Sequence, residues 1–169
     1  MKRAAKAYRA QYEHPTQLLA STFLRAVATD DAAVLWERLS RETRGLLEGR
    51  YAAHAHIALH RAAGVSADAA DARLADVLRP LRDAVLSAAG GPARLLGLGV
   101  SAARLVDRET VFVLLLLEFG EERIVREDEW RPAHLLAFVH ESREWLLDLA
   151  ATAELSAEAE LPDLLAEIR

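Results

Sequence analysis

A run of apolar residues, Thr110–Phe119, constrains the fold of this chain more than any other feature of the sequence. Successive side chains of a β-strand point to opposite faces, and here both faces are apolar: Val111, Val113, Leu115, Leu117 and Phe119 on one side, Phe112, Leu114 and Leu116 on the other. A strand of this kind needs cover on both faces. We therefore expect helices on one face of its sheet and a second subunit on the other, as a homodimer through the outer sheet face.

The first half of the chain has the apolar spacing of amphipathic helices. Residues 15–89 predict three or four helices. The Asp30-Asp31 step ends the first pattern and supplies an N-cap for the second helix, and Ser40 can cap a third that runs to Ala63. Pro80, inside the last apolar stripe, removes a backbone donor and predicts a kink or a break.

The pattern changes to strands at residue 93. Segments with strand character are 94–106, 110–119, 123–131, 134–140 and 145–149, separated by polar turns. Helices followed by antiparallel strands predict an α+β fold in which the N-terminal helices pack on one face of a curved antiparallel sheet.

Charge and length suggest one domain between two tails. Residues 1–13 form a basic tail, 14–150 a single α+β cone domain, and 151–169 an acidic tail with a short helix that begins near Ser156 or Pro162 and ends at Arg169. With a net charge of −5 and a pI near 5.7, the chain lacks the broad positively charged surface that is typical of a nucleic-acid binder. We expect no nucleic-acid partner.

Cysteine content and hydropathy bear on the cellular compartment. The chain has no cysteine, which excludes disulfides, thiolate metal sites and cysteine nucleophiles. Its longest apolar run, Val111–Leu117, is far shorter than the roughly 20 residues that span a bilayer. The basic N-terminus has no apolar segment like that of a signal peptide. We expect a soluble cytoplasmic protein without a membrane partner.

The order of these segments resembles the nuclear transport factor two-like superfamily, which includes ketosteroid isomerase-like and polyketide cyclase-like proteins. Over residues 15–150 the resemblance rests on LLASTFLRAVATDDAAVLWERLSRETRGLLE, a further helical stretch, and the late hairpin FVHESREWLLDLA. It implies a cone-shaped, cystatin-like sheet around a long helix, frequent dimers and a pocket at the wide end. Members include enzymes, transport adaptors and non-catalytic binding domains, and no catalytic constellation of the family can be placed on this sequence.

Residues of the last strands are the candidates for a pocket wall. His134 and His140 share a face of one strand, where they could transfer protons or donate hydrogen bonds. Arg126, Asp128 and Trp130 share a face of the preceding polar strand. In an enzyme, Asp128, His134 and His140 would be catalytic, whereas Arg126, Trp130 and His134 would bind a ligand. The alternative is an exposed edge strand with terminal histidines in water.

Motifs for metals and cofactors are incomplete. His56 and His60 have the four-residue spacing of zinc ligands but lack the glutamate of a zinc protease and a third ligand. Residues 97–102 fit G-x-G-x-x-A, yet a dinucleotide site needs a strand before the motif and a helix after it. A strand that uses glycine for close packing explains the motif better. We expect no metal and no cofactor.

Three hypotheses for function follow. The first is a dimeric, non-catalytic small-ligand or protein-binding and assembly domain. The alternative is a cofactor-independent isomerase, dehydratase or cyclase that acts on a hydrophobic small molecule in the cone pocket. The third is an accessory protein that docks through residues 150–169. A pocket filled by Leu, Phe and Trp side chains favours the first, and a deep cavity with a proton-transfer group favours the second.

Overall fold

The computed structural model describes residues 14–117 and 132–168. Within these ranges the helices are α1 (Pro15–Thr29), α2 (Ala32–Glu37), α3 (Arg41–Ala55), α4 (Leu59–Ser66), α5 (Leu74–Ala89), α6 (Pro92–Gly97) and α7 (Leu149–Glu158). The strands are β1 (Gly99–Val100), β2 (Arg104–Leu105), β3 (Thr110–Leu116), β4 (Pro132–Glu141) and β5 (Glu144–Leu147), and a 3-10 helix spans Ala166–Ile168. The basic tail 1–13 and the polar strand expected at 123–131 lie outside the described residues.

Short polar side chains start and end the first helices where the sequence predicts. Asp30 ends α1 in the left-handed conformation, with φ of 58°. The Asp31 carboxylate accepts a hydrogen bond from the Val34 backbone N–H at 3.1 Å and so caps α2. Ser40 caps α3 by accepting from the Thr43 N–H at 3.1 Å. Both predicted N-caps are confirmed, because each satisfies a backbone donor that the helix itself leaves unpaired.

One of the helix predictions is wrong, and another is narrowed. The stretch from Ser40 to Ala63 is two helices, because His56 adopts the left-handed conformation (φ 53°) and ends α3 before α4 begins at Leu59. At Pro80, where the sequence predicts a kink or a break, α5 continues without a break. The buried face of α5, which includes Val77 and Leu81, packs in the core and offsets the lost backbone hydrogen bond.

The segment between the helices and the long strand also differs from the prediction. Residues 94–97 belong to α6 and not to a strand. Gly91, with φ of 108°, turns the chain, and Pro92 follows at the first helical position, where its fixed φ suits a helix. Within the segment 94–106, the strand pairs with β3 are limited to Gly99–Val100 and Arg104–Leu105. The G-x-G-x-x-A motif therefore follows a helix and continues into short strands, the reverse of the dinucleotide-binding context.

The strands form a strongly curled antiparallel half-barrel, against which the helices pack. The order is β1-β3-β4-β5, and β2 also pairs with β3. The register places Val113 opposite Leu136 and Leu115 opposite His134 on one face. The predicted α+β fold, with helices on a curved antiparallel sheet, is confirmed.

The C-terminal segment packs on the same core. Helix α7 starts at Leu149, earlier than the sequence suggested, because Asp148 caps it through the Ala151 N–H at 2.8 Å. Further along, Leu164, Leu165 and Ile168 are buried in the main hydrophobic cluster. The acidic charges of this segment thus alternate with side chains that hold it to the domain.

None of the helices described in 14–117 and 132–168 is long and apolar enough to cross a bilayer. Helix α5, with 16 residues, contains arginine and aspartate and has a polar face.

The turn before β3 gives a prediction about pH. The Asp107 carboxylate accepts hydrogen bonds from the backbone N–H groups of Glu109 and Thr110, both at 2.8 Å, and these bonds lower the pKa of Asp107. A lowered pKa in the folded state stabilises the fold at pH above the ordinary aspartate value, and this stabilisation is lost as pH falls through the lowered value. An NMR titration should report a pKa for Asp107 below the ordinary one. The free energy of unfolding should fall less steeply with acid in Asp107→Asn than in the unsubstituted protein. If the two proteins show the same acid dependence, this prediction is contradicted.

Candidate functional site

The concave face of the sheet is filled by side chains. Val113 and Leu115 on β3 and Leu136 on β4 have no exposed surface, and Phe138 is 1% exposed. All four belong to one cluster with residues of the helices, among them the fully buried Phe23 of α1. Close packing of this kind leaves no space for a substrate between these five side chains.

His134, a predicted ligand-binding or catalytic residue, lies on this filled face. It is 8% exposed, and its Nδ1 is 3.1 Å from the Pro162 carbonyl oxygen. A carbonyl oxygen can only accept, so Nδ1 carries the hydrogen and donates it. The imidazole thereby ties β4 to the C-terminal segment.

His140, the other predicted proton-transfer residue, is exposed and lies beside aromatic rings. Its ring centroid is 5.0 Å from that of Trp145, and the Trp145 ring is 5.2 Å from that of His14. His14 is also the N-cap of α1, with Nδ1 accepting from the Thr16 N–H at 3.3 Å. The three rings join the start of α1 to the β4–β5 hairpin.

The two histidines do not form a common site. They are six residues apart on one strand, which corresponds to about 20 Å. The remaining predicted site residues, Arg126, Asp128 and Trp130, lie outside the described residues. The described side chains therefore do not bring together two of the predicted acid–base groups.

The histidine pair considered for a metal is divided between two helices. His56 ends α3, whereas His60 is in the first turn of α4, so the spacing of one continuous helix face does not apply. In the described part of the chain no group of three or more His, Cys, Asp or Glu side chains could hold a metal ion.

A buried polar cluster that the sequence did not reveal joins two helix N-termini. The Ser40 hydroxyl donates to the Asp148 carboxylate at 2.6 Å and lies 2.9 Å from the Thr43 hydroxyl. The Leu149 backbone N–H in turn donates to Thr43 Oγ1 at 3.0 Å. Ser40 and Thr43 are at most 1% exposed and Asp148 is 5% exposed. The N-cap of α3 is thus hydrogen-bonded to the N-cap of α7.

This polar cluster is a structural junction. Its hydroxyls and its carboxylate all have partners within the protein, and the positive ends of α3 and α7 compensate the buried charge of Asp148. The sequence did carry one signal for it. Asp148 ends a strand pattern and precedes a run rich in helix formers, which is typical of an N-cap.

A surface cavity of about 290 Å³ lies beside this junction. Its lining consists of Glu42, Thr43, Leu46, Leu149 and Ala150, from the first turns of α3 and α7. Two of these side chains are polar: Glu42 has a carboxylate, and the Thr43 hydroxyl is already hydrogen-bonded within the junction. The other three side chains are aliphatic. This volume lies at the lower limit of small-ligand pockets.

Comparison of the chain with protein-family models, curated proteins and solved structures gives no significant match.

Proposed function

We propose that this protein is a non-catalytic binding and assembly domain that works as a homodimer through the outer face of its sheet. In this proposal it is a cone-like domain of the nuclear transport factor two-like type. Its cysteine-free sequence suits a reducing compartment, and we place the domain in the cytoplasm.

The filled concave face carries this proposal. An enzyme of the cone type would hold its substrate inside the curled sheet, where Leu115, Leu136 and Phe138 pack against helix side chains with at most 1% of their surface exposed. In the part of the chain that the structure describes, the helix-facing side of the sheet is packed core, so binding at the outer surfaces is the better supported use of the fold.

Part of the outer sheet face supports the homodimer, because Leu135 and Ala137 on this face of β4 are already buried within the subunit while their neighbours on β3 are not. Phe112 and Leu114 of β3 point to this face, opposite to Val113, and both are half-buried. Val139, on the same face of β4, is also half-buried. A second copy that covers these side chains would remove apolar surface from water, at about 25 cal/mol per Å².

The surface cavity between α3 and α7 offers room for a small apolar ligand. Leu46, Leu149 and Ala150 would contact it, and no cofactor or metal is part of the proposal. The catalytic alternative has less support, because His134 donates to the Pro162 carbonyl and lies about 20 Å along the strand from His140.

Native mass spectrometry of the freshly purified protein tests the proposal, since it reports subunit number and any bound small molecule together. We expect a dimer for the unsubstituted chain and a monomer for Leu114→Glu, because the substitution puts a carboxylate into the proposed interface. Leu59→Glu is the matched control, since Leu59 is 58% exposed on α4, and it should remain dimeric. A monomeric unsubstituted protein, or a dimeric Leu114→Glu, would contradict the homodimer.

A further inference from the structure

We propose that the exposed face of α3 is a second docking surface, whose partner is α3 of another copy of this chain in antiparallel orientation. This contact is separate from the sheet-face homodimer, but it uses Glu42 and Leu46 from the wall of the surface cavity and would therefore compete with a ligand there. The two contacts together would join dimers into a tetramer, and the α3 contact alone would give a dimer.

The exposed face of α3 has an apolar centre between opposite charges. Glu42, Leu46 and Arg50 follow each other at four-residue spacing, so they lie in one row on the helix surface. Leu46 is 37% exposed, and Glu42 and Arg50 are exposed. Glu42 has no hydrogen bond or ion pair with another described residue, and Arg50 uses Nη1 for the Ile168 carbonyl.

This charge pattern is complementary to itself. If a two-fold axis passes through Leu46, antiparallel helices place Glu42 of each copy opposite Arg50 of the partner copy, which gives two ion pairs. Each charge lies about 6 Å along the helix from Leu46, within reach of long side chains when the helix axes cross at about 50°. A parallel arrangement would put like charges together.

The neighbouring row of α3 allows close approach. Gly45, Gly49 and Ala53 have the same four-residue spacing beside the row of Leu46. A Cβ added at Gly45 or Gly49 would meet no atom within 4 Å, so packing inside the subunit does not require glycine there. Glycine is less favourable than alanine in a helix interior. The groove along this row would receive Leu46 of the partner copy, in the manner of ridges that pack into grooves.

Among the other charged side chains of α3, those of Arg44 and Glu48 are engaged within the subunit, whereas Arg41 is exposed at the start of the helix, on the row of Gly45 and Gly49. The Arg44 guanidinium donates to the carbonyl oxygens of Trp36 and Glu37, and it lies over the Trp36 ring. The Glu48 carboxylate accepts from the Ser66 hydroxyl. The charges left on the exposed row are those of Glu42 and Arg50.

A charge swap tests the α3 contact. A contact between two single helices belongs to the small and weak interfaces, so sedimentation velocity should be followed up to several hundred micromolar protein. We expect the unsubstituted chain to double its mass with concentration. Glu42→Arg or Arg50→Glu alone should abolish this step, whereas the double variant should restore it, because the ion pairs return with reversed polarity. Arg61→Glu, at an exposed position of α4, is the control and should associate like the unsubstituted chain.

The outcomes separate this proposal from the sheet-face homodimer. In Leu114→Glu the α3 step should persist, from monomer to dimer in place of dimer to tetramer. If the sheet-face homodimer does not exist, the unsubstituted chain itself goes from monomer to dimer and the charge swaps still act. The α3 contact is overturned if mass does not rise with concentration, if the single swaps leave the rise unchanged, or if the double swap fails to restore it.

Discussion

Phe138→Ala is expected to lower the free energy of unfolding by about 3–5 kcal/mol, the largest effect of a single substitution that we predict. Phe138 is 1% exposed on the concave face of β4, where it pairs with Val111 of β3 and Leu147 of β5. Removal of its ring leaves a cavity in the main cluster, which the packed neighbours can fill only in part. Urea denaturation of both proteins by circular dichroism gives the difference.

Phe138→Leu is the matched control for this substitution. Leucine retains most of the apolar volume, so a loss below about 1.5 kcal/mol is expected. If Phe138→Ala costs no more than Phe138→Leu, the concave face is not packed core. That result would remove the observation on which the non-catalytic proposal depends, and a pocket inside the sheet would become the better hypothesis.

The elements predicted correctly from the sequence are those that depend on neighbouring residues. Asp31 and Ser40 each accept a hydrogen bond from the backbone N–H three residues ahead, so the pattern that predicts these caps lies within a few positions. The β4–β5 hairpin was predicted for the same reason. Its two strands flank a polar turn at Ser142 and Arg143, both of which have positive φ.

The features that the sequence did not predict depend on contacts between distant segments. Nothing near His56 marks it as a helix end, since the left-handed residue that ends a helix is usually glycine or asparagine. Similarly, the sequence predicts an acidic tail with a short helix over 151–169, whereas in the structure Leu164 and Ile168 are buried in the main hydrophobic cluster. The hypothesis of docking through residues 150–169 must take account of this burial, because deletion of the segment would also remove part of the core.

At the candidate site, too, local features could be predicted from the sequence and contacts between distant segments could not. His134 was correctly placed on the face shared with Leu136 and Phe138, because strand alternation is local. Its donation to the Pro162 carbonyl, 28 residues away, could not be derived from alternation. The junction of Ser40 with Asp148 spans 108 residues, and each residue alone predicts only an ordinary N-cap.

That junction gives the second large effect. Asp148→Ala is expected to lower the free energy of unfolding by about 2–4 kcal/mol, more than loss of a single N-cap. The substitution removes the acceptor for the Ala151 N–H and the carboxylate at 2.6 Å from the fully buried Ser40 hydroxyl, which keeps only the Thr43 hydroxyl as an acceptor at 2.9 Å. A hydrogen bond to a charged group contributes more than one between neutral groups, so its loss adds to the loss of the N-cap.

Comparison with Asp31→Ala separates the cost of losing an N-cap from the cost of losing the buried hydrogen bond between Ser40 and Asp148. Asp31 is an exposed N-cap that serves α2 alone, so its loss should cost only about 0.5–1 kcal/mol. A double-mutant cycle of Ser40→Ala with Asp148→Ala, followed by urea denaturation, should give a coupling of about 1–3 kcal/mol, because the two side chains share one hydrogen bond. Equal costs for Asp148→Ala and Asp31→Ala, with no coupling in the cycle, would mean that the N-termini of α3 and α7 are capped independently. In that case the wall of the surface cavity between them would have no common anchor, and its shape would depend on the packing of Leu46 and Leu149 alone.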